Sequence, residues 1–292
     1  MKGLDVPTAL EGAYDECRRI LARHSSSYSW ATRLLPADRR PHVQALYAFA
    51  RTADDLVDRP QHEPAATLAA FRRRFDDVGD DRTITVGCEH DGWQPVLRAV
   101  ANTIETFAIR RDAFDRFFDS MAMDLTVSHY DTWADLLVYM EGSAAAIGEM
   151  MLPILGPVDA EAARGPARYL GLAFQLTNFL RDVGDDLERS REYLPVEDLQ
   201  RFGVDLTERS VSPAFEELMR FEIERNRALY ESAAVGFDLL PSRSARSIRV
   251  AHALYCRILV EIERAGYDVF TERTRVSTAR KAFVATKALA SH

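Results

Sequence analysis

Apolar residues recur at three-to-four spacing through most of this 292-residue chain, while alternation with period two is nearly absent. That periodicity puts hydrophobic side chains on one face of successive α-helices and leaves little to build a sheet from, so the predicted fold class is all-α. Helices are expected roughly over 7–23, 38–58, 64–77, 93–109, 112–127, 131–155, 159–188, 212–239, 242–266 and 276–290. Pro36, Pro41, Pro95, Pro153, Pro157, Pro195 and Pro241 fall at or near these edges, and Asp131 stands where an N-cap would. Only TITV at 83–86 resembles a short strand, within a polar stretch, 76–95, that reads as a surface loop. No linker composition and no fixed-period repeat divides the chain, so one helical domain over 1–292 is expected.

Charge and cysteine content narrow the function classes. With 45 acidic against 37 basic residues and a net charge of -8, the chain lacks the basic surface that phosphate-backbone neutralisation needs, so nucleic acid is not the expected partner. All but three of the basic residues are arginine, a bias that base composition explains in bulk; a few of these guanidinium forks could still grip diphosphate oxygens. Cys17, Cys88 and Cys256 are widely spaced and form no C-x-x-C pair, which points to a reducing cytoplasm. The N-terminal stretch has no apolar run of a secretory signal, and the apolar stretch 136–155 is interrupted by Glu141 and Glu149. A soluble cytoplasmic protein is expected, with a peripheral contact at the inner face of the membrane left open.

Carboxylates four apart on a helix share a face and repel unless something neutralises them. Six D-x-x-x-D pairs occur, so context must decide. Asp76 to Asp81 falls in the polar stretch beside Gly79, Asp131 serves capping, and Asp115 and Asp119 sit opposite Phe114, Phe117 and Phe118 on a solvated face. The pair Asp182 and Asp186 differs. It ends a stripe of Gly171, Gln175, Asn178, Asp182 and Asp186 on a helix that is otherwise apolar nearly all round, and such a helix is buried. An internal hydrogen-bond network would satisfy these groups, but a polar cavity accounts for them better. Within LYAFARTADDLVD (46–58), Tyr47, Arg51, Asp54, Asp55 and Asp58 likewise share a face. Two such helices facing each other would place five or six carboxylates at one end of a cavity, a charge that low dielectric does not tolerate unpaired. Hard divalent cations resolve it: Mg2+, with Mn2+ the nearest substitute, is held by one or two carboxylates, waters and substrate phosphates. The small residues of YMEGSAAAIGE (139–149) leave either room for a long apolar ligand or a close helix contact. Dinucleotide, Walker, nucleophile-elbow and zincin motifs are absent, and the histidines are scattered.

From about residue 17 to 282 the sequence resembles the squalene/phytoene synthase family. HSSSYSWATRLLP (24–36) is similar to its substrate-flap segment, ALYAFARTADDLVD (45–58) to its first aspartate-rich motif, and AFQLTNFLRDVGDDLERSREYLP (173–195) to its second. GSAAAIGEMMLPILG (142–156) and GYDVFTERTRVS (266–277) most resemble bacterial phytoene synthases. The resemblance implies an isoprenoid-synthase helical bundle with a central substrate cavity. It implies that Asp54, Asp58, Asp182 and Asp186 hold Mg2+ with Asp55 adjacent, and that Tyr47 belongs to the catalytic group. Arg51 and Arg181 would bind diphosphate, with Arg275 a further phosphate contact; Ser27 and Tyr28 would belong to the flap, and Gln175 and Asn178 would line the site. Ser190 stands where the family frequently has Gly, and Ala145 and Ala146 where many relatives have Gly and a hydroxyl residue, which bears on chain length and not on reaction type.

The implied reaction joins two geranylgeranyl diphosphates head to head through a cyclopropylcarbinyl diphosphate to phytoene, with no NADPH. Farnesyl diphosphate, giving presqualene diphosphate or dehydrosqualene, is the alternative substrate, and a non-catalytic assembly or binding factor is the alternative of another class. Product release to a bilayer is expected, although no amphipathic anchor is obvious in the sequence, and oligomeric state is not legible.

Overall fold

The computed structural model describes residues 5–58, 62–80 and 92–290. Among them the secondary structure is helical, with one isolated bridge between His129 and Glu192, as the all-α periodicity predicts. TITV at 83–86 lies outside the described residues. In chain order the α-helices are α1 (Glu11–His24), α2 (Ser26–Thr32), α3 (Arg40–Asp58), α4 (Pro64–Asp80), α5 (Gln94–Phe107), α6 (Arg111–Met123), α7 (Trp133–Met140), α8 (Ala146–Leu155), α9 (Ala160–Glu188), α10 (Val196–Phe202), α11 (Pro213–Ala234), α12 (Ser242–Arg264) and α13 (Thr278–Ala290).

Several expectations are corrected. Thr132, and not Asp131, caps α7: its hydroxyl accepts from Asp135 N–H at 3.1 Å while the Asp135 carboxylate accepts from Thr132 N–H at 3.1 Å, a reciprocal box that a hydroxyl at the cap makes available. Asp76 and Asp77 lie on α4, not in a loop, and Asp76 pairs with Arg111 of α6. The run 131–155 is interrupted by a π-turn over Glu141–Ala145. The helix expected over 212–239 stops at Ala234, before a separate 3-10 turn, Phe237–Leu239. Two helices, α2 and α10, were not expected at all. The solvated reading of Asp115 and Asp119 holds: their side chains are 47% and 70% exposed, and Arg72 of α4 donates to them at 3.1 and 2.9 Å.

Two apolar clusters organise the molecule. In one, Phe49 of α3 is surrounded by Phe71, Phe75, Phe114, Phe117 and Phe118 of α4 and α6, with α1 and α5 completing the wall. In the other, α9 packs along α11 and α12, while α8, most of whose buried residues belong to the first cluster, also packs on α9. Asp159 caps α9 by accepting from Glu161 and Ala162 N–H, both at 3.0 Å. The two clusters meet where α8 packs on α9, and the cavity lies between the inner faces of α3 and α9. Among the described residues no helix is long and apolar enough to cross a membrane.

Close approach explains part of the small-residue stretch. A Cβ on Gly142 would stand 1.9 Å from the Arg116 carbonyl oxygen, and one on Gly148 2.2 Å from that of Ala167, so these glycines serve helix contact. Neighbouring Ser143, Ala144 and Ile147 line the cavity, so both readings of the stretch apply.

Candidate active site

A cavity of about 1040 Å³ runs between α3, α8, α9 and α12, at the upper end of the roughly 300–1,000 Å³ usual for ligand sites. Its two ends differ in chemistry. At the mouth stand five carboxylates, Asp54, Asp58, Asp182, Asp185 and Asp186, among Arg51, Arg181, Arg189, Arg191, Arg273, Arg275 and Lys281. Beyond them the wall is apolar or small, with Phe117, Ile147, Met151, Leu155, Leu170 and Phe174 along its length and Ala163 and Ala233 toward the far end. The stripe Gly171, Gln175, Asn178, Asp182 and Asp186 lines the cavity as one face of α9, and Tyr47, Arg51, Asp54 and Asp58 line it from α3. Ser27 and Tyr28 come to the same space on α2. Asp55 does not line it; both its oxygens accept from Arg51, whose Nη1 also donates to Asp54 at 2.8 Å.

The carboxylates are unequally neutralised. Asp182 accepts a bidentate pair from Arg181, at 2.7 and 2.6 Å, and a second from Arg273, also at 2.7 and 2.6 Å. Burial alone would raise its carboxyl, but these two guanidinium groups outweigh it and hold Asp182 below the usual carboxylate range. Among the described residues Asp186 accepts a side-chain hydrogen bond from Arg189 alone, at 3.4 Å, so burial and then the negative charge of Asp182 push it up to about 8. Asp54 is raised by the same causes, enclosure first and then Asp58. Asp58 pairs with Arg191. The mouth therefore holds carboxylates that the protein's own cations leave undercompensated. Hard oxygen donors in that condition fit a divalent cation. Among the described residues no three metal-ligating side chains form a preassembled cage.

Aromatic rings close the middle of the cavity. Tyr28 of the short α2 contacts Tyr47, Phe174 and Tyr255 at centroid distances of 5.6, 5.8 and 5.3 Å. Ser25 fixes the start of α2 by accepting from Tyr28 N–H at 3.3 Å. Their faces carry the negative end of the ring quadrupole, which attracts a cation.

Sequence reasoning missed several groups. Arg273, two residues before the expected Arg275, makes the carboxylate contact; a hydrogen bond from Gly184 N–H to the Val269 carbonyl at 3.3 Å ties its segment to α9. Arg275 lines the cavity without such a pair. Asp124 lies in no motif, yet it accepts from Tyr139 at 2.6 Å and Tyr193 at 3.1 Å, and burial pushes its carboxyl up to about 6. Tyr193 stacks on Phe179 at 4.1 Å, so Asp124 anchors an aromatic wall beside the mouth. No local pattern marks these residues, since only tertiary packing joins them.

Comparison with known proteins gives a consistent picture. The pattern of the family described as Squalene/phytoene synthase matches residues 21–280. A phytoene synthase of Arthrospira platensis is 32% identical over 292 residues, covering 94% of this chain and 92% of that protein. A 15-cis-phytoene synthase of Synechococcus elongatus is 33% identical over 290 residues, covering 94% and 91%. The crystal structure of a dehydrosqualene synthase in complex with ligand is similar with a TM-score of 0.88 at 28% identity, covering 97% of each chain. That of squalene synthase HpnC from Alicyclobacillus acidocaldarius has a TM-score of 0.78 at 29% identity, covering 90% of this chain and 97% of the other.

Proposed function

The chain belongs to the squalene/phytoene synthase family, and we propose that within it the protein is a prenyl transferase that joins two geranylgeranyl diphosphates head to head to give phytoene. The observation that carries this reading is the junction of an acidic, arginine-rich mouth with a long apolar cavity on one helix. Cavity-lining positions on α9 extend from Asp186 back to Ala163, a span of about 35 Å at 1.5 Å per residue. A diphosphate and a long prenyl chain need those two environments, in that order.

In this reading Asp54, Asp58, Asp182 and Asp186 would hold Mg2+, which supplies charge neutralisation to the departing diphosphate. The chain's own groups do the rest. Arg51, Arg181, Arg191 and Arg273 orient the diphosphate oxygens, Arg273 exchanging part of its contact with Asp182 for the substrate. Loss of the first diphosphate leaves an allylic cation, which adds across the double bond of the second substrate. Proton loss closes a cyclopropylcarbinyl diphosphate. The second diphosphate then departs, and rearrangement with loss of a second proton gives the hydrocarbon, so two diphosphates and two protons leave in all. Tyr28, Phe174 and Tyr255 present ring faces to the cationic species, and the apolar wall keeps water from quenching them.

Farnesyl diphosphate remains the competing substrate, favoured by the likeness to a dehydrosqualene synthase. The relatives named phytoene synthases favour the longer chain. Incubating the purified protein with Mg2+ and each prenyl diphosphate in turn, without NADPH, and resolving products by chromatography tests both. Phytoene from the longer substrate is expected. A cyclopropyl diphosphate that accumulates until NADPH is added, or exclusive use of farnesyl diphosphate, would overturn the reading.

A further inference from the structure

Asp124 follows directly on α6, and its carboxylate is shared by two phenols from distant segments. Tyr139 of α7 donates to one oxygen at 2.6 Å, and Tyr193, beyond the end of α9, donates to the other at 3.1 Å. Both tyrosines line the cavity. A third phenol, Tyr130, belongs to the same group of rings, 5.4 Å from Tyr139 and 6.1 Å from Tyr193. It does not line the cavity, and its buried hydroxyl has no hydrogen-bond partner among the described residues. Asp124 therefore takes hold of the two rings that border the substrate space and leaves the one that does not. Satisfying two buried hydroxyls needs no charge, since neutral acceptors would do it without the cost of burying a carboxylate.

The arrangement fixes polarity as well as place. Burial raises the Asp124 carboxyl to about 6, which still leaves it ionised at neutral pH, and an ionised carboxylate can only accept. Each phenol must then commit its proton to Asp124. What remains on each hydroxyl oxygen is lone pairs, and the carboxylate behind it polarises the phenol so that oxygen and ring become more negative. Arg191 ties the same residue to the mouth, its Nη2 donating to the Asp124 carbonyl oxygen at 3.4 Å while its Nη1 pairs with Asp58.

We propose that Asp124 is a positioning residue for the reaction: it holds the Tyr139 and Tyr193 hydroxyls with their oxygens as acceptors, so that the wall beside the mouth presents fixed negative potential to a carbocation. A phenol free to rotate would have to reorient its O–H dipole as the cation forms, and that reorganisation is what a preset dipole avoids. The role rests on the proposed function, which supplies the cation.

The test compares Asp124→Asn and Asp124→Glu with wild type in the full chain, and repeats Asp124→Asn in a background carrying Tyr139→Phe and Tyr193→Phe. Asp124→Asn removes the charge and offers the phenols a donor, and should lower kcat by about ten- to a hundred-fold with KM changed by less than about two-fold; Asp124→Glu should recover part of the loss. Without the two hydroxyls Asp124 has nothing to act through, so Asp124→Asn should then cost less than about two-fold more. In the absence of substrate and metal, the tyrosine ultraviolet band of wild type should lie to the red of that of Asp124→Asn, because a phenol donating to a carboxylate is the more polarised. Equal fold losses in the two backgrounds, a loss confined to KM, or coincident absorption bands overturns the role. Should Asp124→Asn not fold, the two tyrosine variants carry the test, and wild-type kcat in their combination overturns the role. Wild-type protein inert toward both prenyl diphosphates overturns the reaction and the role together, whereas an active wild type matched by Asp124→Asn overturns the role alone.

Discussion

Asp182 and Asp186 sit one helical turn apart, yet the fold lowers the pKa of the first and raises that of the second. Asp186 titrates at about 8 in the fold against an ordinary 3.8, so the folded protein holds a proton that the unfolded chain has released over that interval. Its contribution is therefore favourable at low pH and is lost as pH rises from about 4 to about 8. Without divalent cations, Asp186→Asn should raise stability at pH 8 or above by on the order of 1–3 kcal/mol. Asp182→Asn should do the reverse by a similar amount, because it strands Arg181 and Arg273. Both should lose about a hundred-fold or more in turnover. Thermal melts across pH decide the stability claim, and equal shifts in the two variants would contradict it. Ser190 gives a second residue-scale expectation. It holds φ of 57°, a left-handed conformation in which a side chain is disfavoured and which the family's frequent Gly adopts freely. Ser190→Gly should stabilise by about 0.5–1 kcal/mol in denaturant melts.

At the scale of elements, the π-turn over Glu141–Ala145 joins α7 to α8 and is held by charge. Arg116 of α6 donates to Glu141 at 2.8 Å and to Glu149 at 3.0 Å, and Arg168 of α9 pairs with the same two carboxylates. Gly142 lies against the α6 backbone inside that clamp, so Gly142→Ala should cost about 2 kcal/mol or more. Gly12, in the first turn of α1 and with nothing beyond its chain neighbours and its own helix backbone within 4 Å of its missing Cβ, is the control: Gly12→Ala should gain up to about 1 kcal/mol. Urea melts of the pair test whether contact or propensity governs. Long elements were legible from sequence because their apolar stripes repeat over several turns. The seven-residue α2 was not, since HSSSYSW is dominated by serines, which leave no apolar stripe to read, and of these Ser25 supplies the cap. The π-turn was hidden too, because one extra residue leaves the three-to-four pattern nearly intact on either side.

Over the whole molecule, the legible part of the site is the part written along single helices. Asp54 with Asp58 and Asp182 with Asp186 can be read from spacing, and the structure brings both pairs to one cavity mouth. What spacing cannot express is the partner set: Arg191 reaching Asp58, Arg273 reaching Asp182, and Asp124 gathering two tyrosines are contacts between distant segments.

One continuous helix, α9, carries the acidic end of the cavity and the lining of its apolar length. Insertion of a single residue between Phe174 and Asp182 would swing the carboxylates about 100° around the axis relative to the tunnel. Variants that accept shorter or longer chains must therefore arise by swapping bulk along the wall, since the helix works as a ruler whose marks cannot be respaced without turning its zero away from the reaction.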